Sequence, residues 1–112
     1  MDFKTVLSEH DIDNIVEMAL LAWQQGDSLL FLSYFKDKAQ LLDAKGQPHI
    51  LKNFVKSGCK HAKFTMIEKV ENGGKDVIGT LQSKKWGVLK VYFKFKINYK
   101  KEIISLCVEL AS

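Results

Sequence analysis

Arginine is absent from this 112-residue chain: all 17 of its basic residues are lysine. The guanidinium fork grips guanine edges and phosphates bidentately, whereas lysine offers only a point charge. The formal net charge of +4 is therefore not read as a nucleic-acid signature, and no nucleic-acid partner is expected. Proline occurs once and glycine seven times, with no low-complexity tract, so nothing reads as a disordered tail or an interdomain linker. Only two cysteines are present. Cys59 falls at an expected helix end and Cys107 in an expected strand, and both read as free thiols of a reducing cytoplasm. Long apolar runs are missing too. The densest helical one, Met18 to Trp23, is too short to cross a bilayer, and the acid-studded segment Met1 to Asp13 lacks the apolar core of a secretory signal. No membrane partner is expected, and the expected location is the cytoplasm.

What is present is apolar material: 46% of the residues are hydrophobic and 11% aromatic, enough for one core and one domain over residues 1–112. The charge is divided along the chain. Residues 1–51 carry four lysines against eight acids, and residues 52–112 carry thirteen lysines against five.

Ser8-Glu9-His10-Asp11 resembles a capping box. Ile12, Ile15, Val16, Ala19, Ala22 and Trp23 follow at helical spacing. Gly26 ends that helix, and Asp27 caps a second over Ser28 to Phe35. A short strand, Ala39 to Asp43, closes on the turn Asp43-Ala44-Lys45-Gly46. Pro48 is expected at the first position of a third helix, which Gly58 stops.

From Lys63 the period changes to two. Four strand-like runs are separated by Asn72-Gly73-Gly74, Trp86-Gly87 and Asn98 to Lys101. Leu89, Val91, Phe93, Phe95 and Ile97 point to one face, and Lys90, Tyr92, Lys94 and Lys96 to the other. In the last run, Ile104, Leu106, Val108 and Leu110 are expected on the apolar face. Helices followed by a meander with one apolar face predict an α+β fold: three N-terminal helices packed in the concave face of a strongly curved, mostly antiparallel sheet.

No metal site is expected, because His10, His49 and His61 lie on different elements without paired ligand spacing. No cofactor is expected, and there is neither a nucleophile motif nor a phosphate-cradling glycine loop.

The element order resembles the nuclear transport factor 2-like superfamily over nearly the whole chain. The likeness rests on Trp23-Gln24-Gln25-Gly26-Asp27, on Tyr34-Phe35 and on Asp43-x-x-Gly46, then on His61 before the first long strand and the closing Asn98 to Leu106 hairpin. It implies a cone-shaped sheet around a pocket and homodimers formed through the outer sheet face. In the ketosteroid isomerase branch, Asp43 falls where the catalytic base stands, and a carboxylate at an apolar mouth is expected to have a raised pKa. The branch's two oxyanion donors correspond to Ala19 and Phe93, which cannot donate, so the steroid isomerase reaction itself is not expected.

These readings give a SnoaL-like domain that binds a small, mostly apolar organic ligand. Asp43 and His61 are its candidate acid–base pair, for isomerase- or lyase-type chemistry. Trp23, Tyr34, Phe54, Trp86 and Phe93 are the candidate lining. Each has a plainer explanation: an aspartate opening a type I turn, a satisfied histidine, aromatics that are simply core. The alternative is a non-catalytic dimeric interaction module. For the expected homodimer, lysines 90, 94 and 96 on the outer sheet face must be offset, and Glu109 is the carboxylate expected to help.

Overall fold

In a computed structural model of the chain, residues 3–111 are described; Met1, Asp2 and Ser112 lie outside the described residues. The elements run α1 (Phe3–Ser8), α2 (Asn14–Gln24), α3 (Ser28–Ser33), β1 (Phe35–Leu42), β2 (Pro48–His49), α4 (Leu51–His61), β3 (Ala62–Glu71), β4 (Asp76–Ser83), β5 (Gly87–Ile97) and β6 (Ile103–Leu110). The strands form a six-stranded sheet in the order β2-β1-β6-β5-β4-β3. All pairs are antiparallel except β1–β6. Helices packed against one face of a mostly antiparallel sheet make the fold α+β.

Several boundaries differ from the expectation. The first long helix starts at Asn14, where the Asp13 carboxylate accepts from the Ile15 N–H at 2.9 Å. Ser8 instead closes the short α1, its hydroxyl donating to the Thr5 carbonyl. Leu7 is drawn into the core and Phe3 stacks on Phe64. The chain between α1 and α2 then lies on the β3–β4 turn, with the Asp13 N–H donating to the Gly74 carbonyl at 3.1 Å. A Cβ on Gly74 would stand 2.3 Å from the Asp13 nitrogen, so glycine is required there.

Asp27 caps α3 as expected, accepting from the Leu30 N–H at 3.0 Å, but α3 ends at Ser33. Pro48 lies in β2 rather than opening a helix. The Asp43 N–H donates to the Gln47 carbonyl, which turns Pro48 back into register with Leu42. Gly58 does not stop α4. It sits inside the helix, where an added Cβ would stand 2.4 Å from Cη2 of Trp23.

β5 alternates as predicted, with Val91, Phe93 and Phe95 buried. In β6 the phase slips. Ile97 pairs with Ile103 while Lys96 pairs with Ser105, so Ile104 is the extra residue of a bulge and Ile103 is the buried one. Bulges in β3 and between β1 and β6 bend the sheet further. At the β3 edge the Gln24 amide mimics a neighbouring strand: it donates to the Phe64 carbonyl at 2.7 Å and accepts from the Phe64 N–H at 3.0 Å.

Candidate functional site

Asp43 lies in the exposed β1–β2 turn. One carboxylate oxygen accepts from the Lys45 and Gln47 N–H groups, and the other bonds the His49 ring at 2.9 Å. The His49 bond, aided by the backbone donors, holds the Asp43 pKa below its ordinary value. A raised pKa at an apolar mouth was expected; hydrogen bonds to the ionised form reverse the sign. Tyr34 is the half-buried C-cap of α3 and joins neither Asp43 nor His61 by a hydrogen bond.

The other sequence candidates come together. Trp23 meets Phe93 at 5.3 Å between ring centroids and Phe54 at 5.6 Å. Phe54 stacks on Trp86 at 6.1 Å with an interplanar angle of 9°. Trp86 in turn meets the His61 ring edge-on at 4.5 Å. This is one aromatic chain running from the core to the surface. Its inner end is filled: Trp23 and Phe93 are fully buried, and the Trp23 indole N–H donates to the Ala62 carbonyl at 3.0 Å. Its outer end is open, with Trp86 38% exposed.

At that outer end stands a polar row. His61 ends α4, and its ring bonds Ser83 through Nδ1 at 2.7 Å and Ser57 through Nε2 at 3.2 Å. The Ser83 hydroxyl oxygen also accepts from the N–H groups of Lys85 and Trp86, at 3.0 and 2.9 Å. A serine oxygen has two acceptor positions and one hydrogen. With both acceptor positions taken, Ser83 donates its hydrogen to Nδ1. His61 is thus neutral with its proton on Nε2, which donates to Ser57. Serine, histidine and serine in a row look like a nucleophile, a base and its orienter. The proton polarity is the reverse of what Ser57 would need, since Nε2 gives a proton rather than taking one; Ser83 has the right polarity, but its oxygen is buried and holds the Lys85 and Trp86 N–H groups.

Two surface grooves flank His61. One, of about 550 Å³, is lined by Asn53, Lys56, Ser57, Lys60, His61 and Lys85. The other, of about 360 Å³, includes Lys63, Gln82, Ser83 and Lys84. Lys63 is occupied, donating to the Cys59 and Trp23 carbonyls at the ends of α4 and α2. Ser57, Ser83, Lys56, Lys60 and Lys85 were not singled out from the sequence. The signal was there in two rows of four-residue spacing on α4, Asn53-Ser57-His61 and Lys52-Lys56-Lys60, which share one helix face. Burial pushes the Cys59 thiol up to about 11 and raises that of Cys107 as well, so neither is primed as a nucleophile. Among the described residues, no three His, Cys, Asp or Glu side chains gather as metal ligands would. No described helix is long and apolar enough to cross a membrane.

No known family profile matches the chain, and no curated protein matches it in sequence. Solved structures do match in shape. A nuclear transport factor 2-like protein of unknown function from Cytophaga hutchinsonii superposes with a TM-score of 0.69 at 15% identity, over 92% of this chain and 94% of its own. The canthaxanthin-binding orange carotenoid protein of Anabaena (Nostoc) gives 0.69 at 16% identity, over 95% of this chain; the chain spans 40% of that protein's length. SalBIII, an epoxide hydrolase/cyclase-like enzyme of pyran ring formation in salinomycin, gives 0.65 at 13% identity, over 87% of this chain and 88% of its own. Helices on one face of a mostly antiparallel sheet, with these neighbours, show that the chain has the nuclear transport factor 2-like, or cystatin-like, fold.

Proposed function

We propose that the chain binds a small, mostly apolar organic molecule at the mouth formed by Trp86, Phe54 and His61, and that it does so without acid–base catalysis of its own. One observation carries this reading. Trp86 is a half-open indole, held flat on Phe54 and edge-on to a fixed histidine, which makes a ring-stacking platform at the end of an apolar column. The fold's neighbours that take a carotenoid or cyclise a polyether are consistent with such a ligand, and identity this low lends no more than that. The Asp43–His61 pair does not support catalysis. Asp43 is engaged in its own turn and bonds His49, while His61 bonds Ser57 and Ser83, so the two do not act on each other. The test is a screen of apolar ring compounds by tryptophan fluorescence and thermal shift, repeated on Trp86→Ala and Asp43→Asn. Hits are expected to lose binding in Trp86→Ala and keep it in Asp43→Asn. Hits that survive Trp86→Ala would sink the proposal.

A second reading, the dimeric interaction module, is favoured by the outer sheet face. There Lys90 pairs with Glu68 and Lys94 with Glu109, each at 2.7 Å. These pairs within one chain offset two of the three lysines that would otherwise repel across a two-fold axis. Sedimentation over a range of concentrations tests it, with a monomer throughout counting against it.

A further inference from the structure

The groove beside Trp86 is made of hydrogen-bond donors. Lys56, Lys60 and Lys85 bring ammonium groups, Asn53 brings an amide, and Ser57 brings a hydroxyl. Because Ser57 accepts from Nε2 of His61, its own hydrogen is left to point elsewhere. No carboxylate lines the groove. The sequence contains no Asp or Glu from Ala44 to Ile67 or from Val77 to Lys101, the two stretches that supply these side chains. Among the described residues, Lys56, Lys60 and Lys85 take part in no ion pair, whereas Lys90 and Lys94 on the outer sheet face each have a glutamate. Three like charges thus share one groove without an internal counter-ion. His61 joins this groove to Trp86, 4.5 Å away between rings.

We infer that the molecule taken at this mouth is an aromatic organic acid, its ring lying on Trp86 and its carboxylate in the groove of Lys56, Lys60 and Lys85. The inference rests on the small-ligand reading above and adds the ligand's charge and the side chains that read it. A carboxylate accepts from several donors at once, and charge-assisted bonds are the strong ones. A groove of about 550 Å³ suits a ring compound rather than a polymer, and an arginine-free lysine cluster has no fork for a nucleic-acid backbone.

The test compares naphthalene-2-carboxylate with its neutral isostere, naphthalene-2-carboxamide, by quenching of tryptophan fluorescence at fixed ionic strength. The carboxylate is expected to bind about tenfold or more tightly than the amide. In the double variant Lys56→Gln/Lys60→Gln that preference is expected to collapse while the amide's affinity stays unchanged. These are exposed side chains on a helix surface, so the variant folds, as circular dichroism will verify. Equal binding of acid and amide, or a preference that survives the double variant, overturns the anion inference and leaves the Trp86 mouth standing. If neither probe binds, the mouth is not a binding site for ring compounds and both readings fall together.

Discussion

Trp23 and Trp86 belong to the same aromatic chain and both contact Phe54, yet they stand in opposite physical situations. Trp23 is sealed, its indole N–H spent on the Ala62 carbonyl and its ring wedged against Phe31, Phe93 and the bare backbone of Gly58. Trp86 stacks on Phe54, meets His61 edge-on and is 38% exposed, on the short turn between β4 and β5. The sealed end stabilises the fold and leaves no room for a guest. The open end contributes less to stability and has a face to offer. What separates the two rings is how much of each the rest of the chain covers.

The largest effect expected from this contrast is on stability. Trp23→Ala is expected to cost about 3–5 kcal/mol, since it empties the centre of the core and leaves the Ala62 carbonyl without its donor. Trp86→Ala should cost about 1 kcal/mol, because much of its ring is already in water. Denaturant unfolding of the two variants measures the difference. Equal losses would mean that Trp86 is as much a core residue as Trp23, and the platform reading would go with them.

Gly58 sharpens the same point from the other side. In an exposed helix interior, glycine to alanine gains about 1 kcal/mol of helix propensity. At this position the new methyl would meet the Trp23 ring at 2.4 Å, and overpacking of that kind costs about 1–3 kcal/mol. The net expectation for Gly58→Ala is a lower Tm. A raised Tm would show that Trp23 can slide, and that the sealed end can open.

At the open end, Ser83 ties the turn carrying Trp86 to His61. Removing its hydroxyl in Ser83→Ala leaves the Lys85 and Trp86 N–H groups to water and costs about 1 kcal/mol. The sharper readout is the His61 imidazole by nitrogen NMR. The intact protein is expected to show the tautomer with the proton on Nε2. In Ser83→Ala, Nδ1 loses its donor and the two tautomers should mix. A proton on Nδ1 in the intact protein would reverse the polarity of the row and restore Ser57 as a candidate nucleophile.

Much of the scaffold was legible because its signals are local. The period-two runs, the glycine-bearing turns and the Asp27 cap each follow from a few adjacent residues. The misses depended on contacts distant in sequence. Gly58 reads as a helix stop until Trp23, 35 positions earlier in the chain, is seen to need its missing Cβ. Ile103 and Ile104 exchange roles because a bulge at Lys96–Ile97 shifts the pairing, and nothing in an alternating run marks where an extra residue enters. Of the candidate site, the aromatics and His61 could be named but not ordered. Trp23 and Phe93 turned out to be filling and Trp86 the open face, because exposure is a property of the assembled fold. Ser83 was invisible for a similar reason: its partners are a helix end and its own turn, brought together by the β3–β4 pairing.

Asp43 and His49 form the remaining acid–imidazole contact, and it should be the least consequential of these features. Both side chains are substantially exposed, at 39% and 53%, so water and salt screen their attraction. The folded pKa of Asp43 lies below the ordinary 3.8, owing first to the His49 bond and then to the backbone donors. A carboxyl with a depressed folded pKa contributes stability that is present above the unfolded value and is lost as pH falls through the folded one. The Asp43 contribution should therefore be complete at neutral pH, begin to fall as the pH approaches 3.8, and be gone only once the pH is below the folded pKa. Asp43→Asn is expected to flatten that acid limb in unfolding measured against pH, and to leave ring-compound binding at neutral pH unchanged. If instead Asp43→Asn weakens binding at pH 7 without moving the acid limb, the turn carboxylate reaches a ligand after all, and the division between a self-contained turn and an open mouth does not hold.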